Sequence, residues 1–163
     1  KSCAPPLSTR SMSDGKGRKT RSVAELMQHE HEWIDRGLTL LLSSQPGIRR
    51  SGHEVLCVLR DHMALEESRL FPVFESAGYA APVQLMLLEH EKIRQHIEDI
   101  SALLVAGDIS GLEHETRLLA IRLGEHNGKE EAIFYDRLEA ILDEGSRRHL
   151  LHHFFGKNQQ WEQ

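Results

Sequence analysis

Two short segments of this chain place a carboxylate four residues after an imidazole: His62-Met-Ala-Leu-Glu66 and His126-Asn-Gly-Lys-Glu130. Of the 11 histidines, only these two have a glutamate at that spacing. On an α-helix, positions four apart lie about 40° apart around the axis and ~6 Å along it. An imidazole and a carboxylate so placed can reach one metal ion from one helix. Histidine is the commonest metal ligand. A single such pair is an ordinary surface feature of helices, so the case rests on its repetition.

The repetition extends further. Glu30-His31-Glu32-Trp33-Ile34 and Glu89-His90-Glu91-Lys92-Ile93 share the pattern E-H-E-x-I. The two His-Glu segments both read H-x-x-x-E-E and are followed by apolar residues and an aromatic, Phe71 in one case and Phe134 in the other. The chain reads as a helix pair used twice. Two H-x-x-x-E helices can present two imidazoles and two carboxylates to one cavity. Each carboxylate has two oxygens and can bridge two ions. One histidine from each remaining helix, His31 and His90, completes the set. The arrangement predicted is two metals, each with two imidazoles, sharing Glu66 and Glu130. Leu59, His62 and Glu66 follow one helix face, as do Leu123, His126 and Glu130. Burying a carboxylate there is costly unless a cation meets it.

The elements that must position these residues are all helical. Ser22 and Glu25 form a capping box that opens a first helix, and its apolar stripe (Val23, Leu26, Met27, Ile34, Leu38, Leu41, Leu42) recurs at helical spacing up to Pro46-Gly47. A second helix is predicted over 52–76, kinked or reset by Pro72. A third runs over 83–106, with Pro82 at its first position, and is broken by Gly107-Asp108. Ser110 to Glu113 reads as a second capping box, opening a fourth helix that stops at Gly145. A short helix over 146–155 follows. No segment reads as a strand. Short loops between long amphipathic helices predict an all-α, up-down-up-down antiparallel four-helix bundle over 22–163, with its core at 22–144.

Residues 1–21 carry six basic residues against one acid, a net +5, in a Ser-, Gly- and Pro-rich stretch that reads as a disordered tail. With the whole chain at −5, the remainder carries −10, which repels phosphates and argues against a nucleic-acid-binding core. No apolar run is long enough for a membrane span, and the polar N-terminus lacks a secretory signal. Cys3 and Cys57 read as free thiols, and these features together predict a cytoplasmic protein.

The residues His31, His62-xxx-Glu66, His90 and His126-xxx-Glu130, in that order and spacing, resemble the hemerythrin-like (HHE cation-binding) family over residues 22–144. The resemblance implies a non-heme, carboxylate-bridged di-iron centre, oxo- or hydroxo-bridged when oxidised, and a function in binding O2, responding to NO or redox state, or sensing iron. Oxygen-carrying hemerythrins have a second histidine four residues after the third-helix histidine. Arg94 stands there in this chain, which argues against simple reversible oxygen carriage. His96 and His29 project away from the site and are poor substitutes.

Other polar neighbours carry weaker expectations. Glu67 and Glu131 read as solvated flank charges or extra ligands. Glu30 and Glu89 read as acceptors for imidazole N–H groups or as surface acids. Asp35, four residues after His31, reads as a surface acid or as a residue that orients or joins the metal shell; Trp33, Phe71, Phe74, Phe134 and Tyr135 read as core, some of them shielding the metals. His149 and His153 read as solvated or packed on the tail helix. The sequence has no H-E-x-x-H and no E-x-x-H, which excludes zincin and ferritin-type patterns.

Mixed imidazole and carboxylate donors suit iron, manganese or zinc; the resemblance favours two iron ions. The expected partner is a small diatomic ligand or peroxide, in a sensor or protective binder. The alternatives are an iron-responsive regulatory module with a protein partner, and a di-iron peroxidase or iron-repair protein.

Overall fold

In a computed structural model, residues 22–43 and 48–158 are described, and all their regular structure is helical. The expected tail over 1–21 lies outside them. Helix α1 spans Val23–Leu41. It opens with the capping box read from the sequence: the Ser22 hydroxyl accepts from the Glu25 N–H at 3.1 Å, and the Ser22 N–H donates back to the Glu25 carboxylate at 2.8 Å. Helix α2 spans Ile48–Leu65, starting before the expected Gly52.

Pro72 does not break the second helix. A π-helical turn, Glu66–Leu70, joins α2 to α3 (Phe71–Ser76). The wide turn gives the proline ring room that a regular α-turn denies it. Helix α4 spans Ala80–Ala106 from an N-cap at Tyr79, so Pro82 sits third in the helix, where its missing N–H still costs nothing. Gly107 ends α4 with φ of 75°, a left-handed cap that glycine adopts without steric cost.

The next cap is Asp108, not Ser110. Its carboxylate accepts the Gly111 N–H at 3.0 Å and opens α5, Ile109–Glu130. A residue immediately after the left-handed glycine is already extended and free to cap, which leaves Ser110 inside the helix. A second π-helical turn, Glu131–Tyr135, leads to α6, Asp136–Ile141. The helix then breaks at Leu142, three residues before the expected stop at Gly145. Asp143 takes the N–H of Ser146 at 2.8 Å, and α7 spans Glu144–Asn158 with Gly145 inside it.

Helix α1 contacts α2, α2 contacts α4, α4 contacts α5, and α5 returns to α1. The approach of α1 to α2 is close: a Cβ on Gly37 would meet Val55 at 2.5 Å. The core has two apolar clusters. One gathers Val23, Leu26, Phe71, Phe74, Met86, Phe134 and Leu138, with Leu150 and Phe154 of α7 packed on it. The other gathers Ile34, Leu38, Val55, Leu59, Ile93, Ile97, Leu119 and Leu123. On α1 and α4 the buried Glu30, His31 and His90 fall between contributions to the two clusters, and His126, Asn127 and Glu130 fall between Leu123 of one cluster and Phe134 of the other. One polar layer is therefore sealed by apolar packing on both sides. No described helix is long and apolar enough to cross a membrane.

Cys57, half-buried on α2, is disulfide-bonded. The expected free thiol is not observed, and the argument from thiols to a reducing compartment falls with it. A half-exposed helical cysteine is accessible to a partner, whatever the apolar pattern around it.

Candidate metal centre

The polar layer holds all six residues singled out by spacing. His31, His62, Glu66, His90, His126 and Glu130 are buried, with Glu66 and His90 at 0% exposure. They sort into two groups of four: His31, His62, Glu66 and Glu130, and then Glu66, His90, His126 and Glu130. Within each group one donor atom from every residue lies within 4.8 Å of the others. Both glutamates belong to both groups, which is the sharing that the i, i+4 spacing predicts.

The imidazoles face each other in pairs. The Nε2 atoms of His31 and His62 are 3.0 Å apart, and so are those of His90 and His126. The carboxylates lie between the pairs. His62 Nε2 is 3.4 Å from Glu66 Oε1, and His90 Nε2 is 3.5 Å from Glu66 Oε2. His31 Nε2 is 3.5 Å from Glu130 Oε2, and His126 Nε2 is 3.2 Å from Glu130 Oε1.

Each ring is held from outside by a carboxylate at Nδ1. Glu30 lies 2.9 Å from His62, Glu89 3.0 Å from His126, Glu131 3.1 Å from His31, and Glu67 2.8 Å from His90. An ionised carboxylate only accepts, so each Nδ1 carries a proton, and the Nε2 of a neutral ring turns its lone pair inward. Of the two expectations for Glu30 and Glu89, the acceptor role holds: both accept from imidazole N–H groups. Glu67 and Glu131 stay partly solvated on the flank, Glu131 with 41% of its side chain exposed, yet each pairs with a ring and lies outside both groups. Each sits beside a buried glutamate and reaches over to the histidine of the next helix.

Arg94 adds no nitrogen to the pocket; its guanidinium donates to Glu67 at 2.5 Å. Lys129 likewise pairs with Glu89. His96 pairs with Glu115 and lies outside both groups, as do His29 and Asp35. A residue the sequence reading left in the core enters the site instead. Tyr135 is buried, and its hydroxyl donates to Glu66 Oε1 at 2.9 Å and lies 3.2 Å from His31 Nε2. The signal was available: Tyr135 follows Glu130 by five residues, as Phe71 follows Glu66. Phe134, the aromatic that the sequence repeat matches with Phe71, meets Phe74 edge-on, with ring centroids 4.6 Å apart, and Phe71 at 6.0 Å.

The electrostatics are those of a pocket built for positive charge. Burial disfavours a charged His62, but the Glu66 carboxylate and the hydrogen bond that the ring donates to Glu30 outweigh it and push its pKa to about 9. His126 is likewise raised to about 9, burial being outweighed by Glu130, Glu66 and Glu89. Burial would raise Glu130, but His126 and His31 hold it well below the usual carboxylate range. Burial raises the Tyr135 phenol, and the charges of Glu66 and Glu130 raise it further. Among the described residues, Glu66 Oε2 and both oxygens of Glu130 are buried with no hydrogen-bond donor. Buried carboxylate oxygens without donors are expensive, and a cation coordinated by them removes the cost. The donor set thus fits metal ions, which would replace the ring protons: imidazole Nε2 atoms and carboxylate oxygens without hydrogen-bond donors converge in the two groups.

The family model described as Hemerythrin HHE cation binding domain matches residues 22–138. Neither curated proteins nor solved structures yield a match.

Proposed function

The chain belongs to the hemerythrin HHE cation binding domain family, and from that premise we propose that it holds two iron ions in an up-down-up-down four-helix bundle and binds or reacts with O2, NO or peroxide as a sensor or protective binder. The order in which α1, α2, α4 and α5 visit the two apolar clusters supports the bundle topology. The observation that carries the metal reading is the pair of four-residue groups sharing Glu66 and Glu130. In this reading His31 and His62 would hold one ion and His90 and His126 the other, with Glu66 and Glu130 offering oxygens to both.

When bound, a redox-active pair would supply electrons to a small oxidant or a site for a diatomic ligand. The chain's residues do the rest. Glu30, Glu67, Glu89 and Glu131 fix each ring's tautomer and orientation, keeping Nε2 turned inward. Phe71, Phe74 and Phe134 pack beside the site and keep bulk water from it. The Tyr135 hydroxyl holds a proton directed at Glu66 Oε1. Six protein donors shared between two ions leave positions for an exogenous ligand. Arg94, engaged with Glu67, supplies no fifth imidazole, which favours reaction over simple reversible carriage.

The test is metal analysis of protein purified without oxygen, with optical spectra before and after air. Two irons per chain and new near-ultraviolet absorption on oxidation are expected. Both should be lost in the His62→Ala/Glu66→Ala variant while its helical content persists. Unchanged metal content in that variant would refute the reading.

A further inference from the structure

The two halves of the pocket repeat each other closely, and they differ in two respects that act in the same direction. First, Phe71 and Tyr135 stand at matching positions. The Phe71 ring stacks on His90 with centroids 5.4 Å apart, and the Tyr135 ring stacks on His31 at 5.6 Å. Only Tyr135 carries a hydroxyl, and its oxygen lies among the donors of the His31–His62 group. The His90–His126 group has an apolar ring edge in its place.

Second, the outer carboxylates are not equally neutralised. Behind His90 and His126, Glu67 is paired with Arg94 and Glu89 with Lys129. Behind His31 and His62, neither Glu131 nor Glu30 has a lysine or arginine partner among the described residues. Asp35 lies close enough to act on both His31 and Glu131, adding negative charge on that side. A carboxylate hydrogen-bonded to a ring N–H makes the opposite nitrogen a better donor. A cation on that carboxylate withdraws part of the effect.

We propose that the pocket binds its two ions unequally: the His31–His62 position is the tight one, with the neutral Tyr135 hydroxyl, its proton kept in the hydrogen bond to Glu66 Oε1, offering an oxygen lone pair as an added donor, and the His90–His126 position is the weak one. This rests on the metal reading given above. The weak position, lined by Phe71, is the one that exchanges its ion and remains most open to an exogenous ligand.

The experiment is a zinc titration of metal-free protein against a chromophoric chelator, with zinc chosen because it has no redox chemistry. Wild type should take up zinc in two steps separated by about tenfold or more, the size typical of changes around a metal ligand. His90→Ala should keep the tight step and lose the weak one, and His31→Ala should do the reverse. Tyr135→Phe should weaken the tight step alone, and Phe71→Tyr should strengthen the weak step alone. Two equal steps in wild type, or a tight step that survives in His31→Ala but not in His90→Ala, would overturn the proposal while leaving a two-metal site intact. A Tyr135→Phe protein with both steps unmoved would overturn the role of its hydroxyl. Absence of any zinc uptake by wild type would overturn the metal reading itself, and this inference with it.

Discussion

His31 and His62 bring their Nε2 atoms to 3.0 Å, although each ring already gives its Nδ1 hydrogen to a carboxylate on the far side. Two inward lone pairs at that distance repel unless a proton or a metal cation lies between or beside them. His90 and His126 repeat the arrangement at the same distance. The layer is therefore poised between two occupancies, protons or metal.

The metal-free protein should be less stable at alkaline pH. His62 and His126 have folded-state pKa values of about 9, above the ordinary value of 6.5. A raised histidine pKa contributes stability that is fully present below about 6.5 and is lost as pH rises through about 9. Thermal unfolding of chelator-treated protein should show a falling midpoint between those limits. With metal bound, protons no longer occupy the site and the fall should disappear. Equal declines with and without metal would count against the exchange of protons for metal. For the same reason apparent metal affinity should rise with pH across this window.

The outer carboxylates should govern affinity without being ligands. Glu30→Gln and Glu89→Gln each keep the shape but lose the charge that holds an imidazole N–H. Each should weaken metal binding by about 10- to 100-fold, read by competition with a chelator, while stoichiometry at saturation stays at two. Loss of one ion outright would mean that the residue is a ligand instead.

Packing in the apolar cluster remote from the site should be separable from metal binding. Leu119 is fully buried on α5 at the far side of the core from Phe134. Leu119→Ala should cost about 2–5 kcal/mol in urea unfolding and leave the metal content at two per chain. A proportionate loss of metal would show that the layer depends on global packing more than on its own donors.

Removing the cap of α1 should be a small effect. Ser22→Ala loses the hydroxyl that accepts the Glu25 N–H and should cost about 0.5–2 kcal/mol. The Val23 N–H keeps its bond to Glu139 of α6 at 2.9 Å, which limits fraying. A change above this range in chemical denaturation would assign Ser22 a larger role.

The donor set was legible because its information is local. His62 with Glu66 and His126 with Glu130 each lie on one helix, and i, i+4 spacing alone brings them together. That His31 and His90 complete the set followed from the internal repeat; which ring each one faces did not, because that contact is made between helices. The role of Tyr135 did not, because a regular α-helix does not carry residue 135 onto the face of Glu130. The π-helical turn at Glu131–Tyr135 adds a residue and rotates the following chain inward, as the turn at Glu66–Leu70 does for Phe71. Neither turn contains a proline, and the second forms with none in the helix that follows it, so Pro72 was not a sufficient guide to the first. The ring contacts of Glu67 and Glu131 were missed for a related reason. Their partners, His90 and His31, lie on other helices, and a single helix face cannot show a contact made across the gap. The caps at Asp108 and Asp143 were hidden by neighbouring serine and glycine residues that look like stronger signals.

The most direct test is anomalous diffraction at the iron edge from crystals of protein reconstituted with iron. Two peaks are expected in the layer between the apolar clusters, about 3.5–4 Å apart, as in other two-metal sites. One should sit against His31 and His62, the other against His90 and His126, with Glu66 and Glu130 touching both. A single peak, or peaks confined to surface histidines such as His149, would contradict a shared two-metal centre.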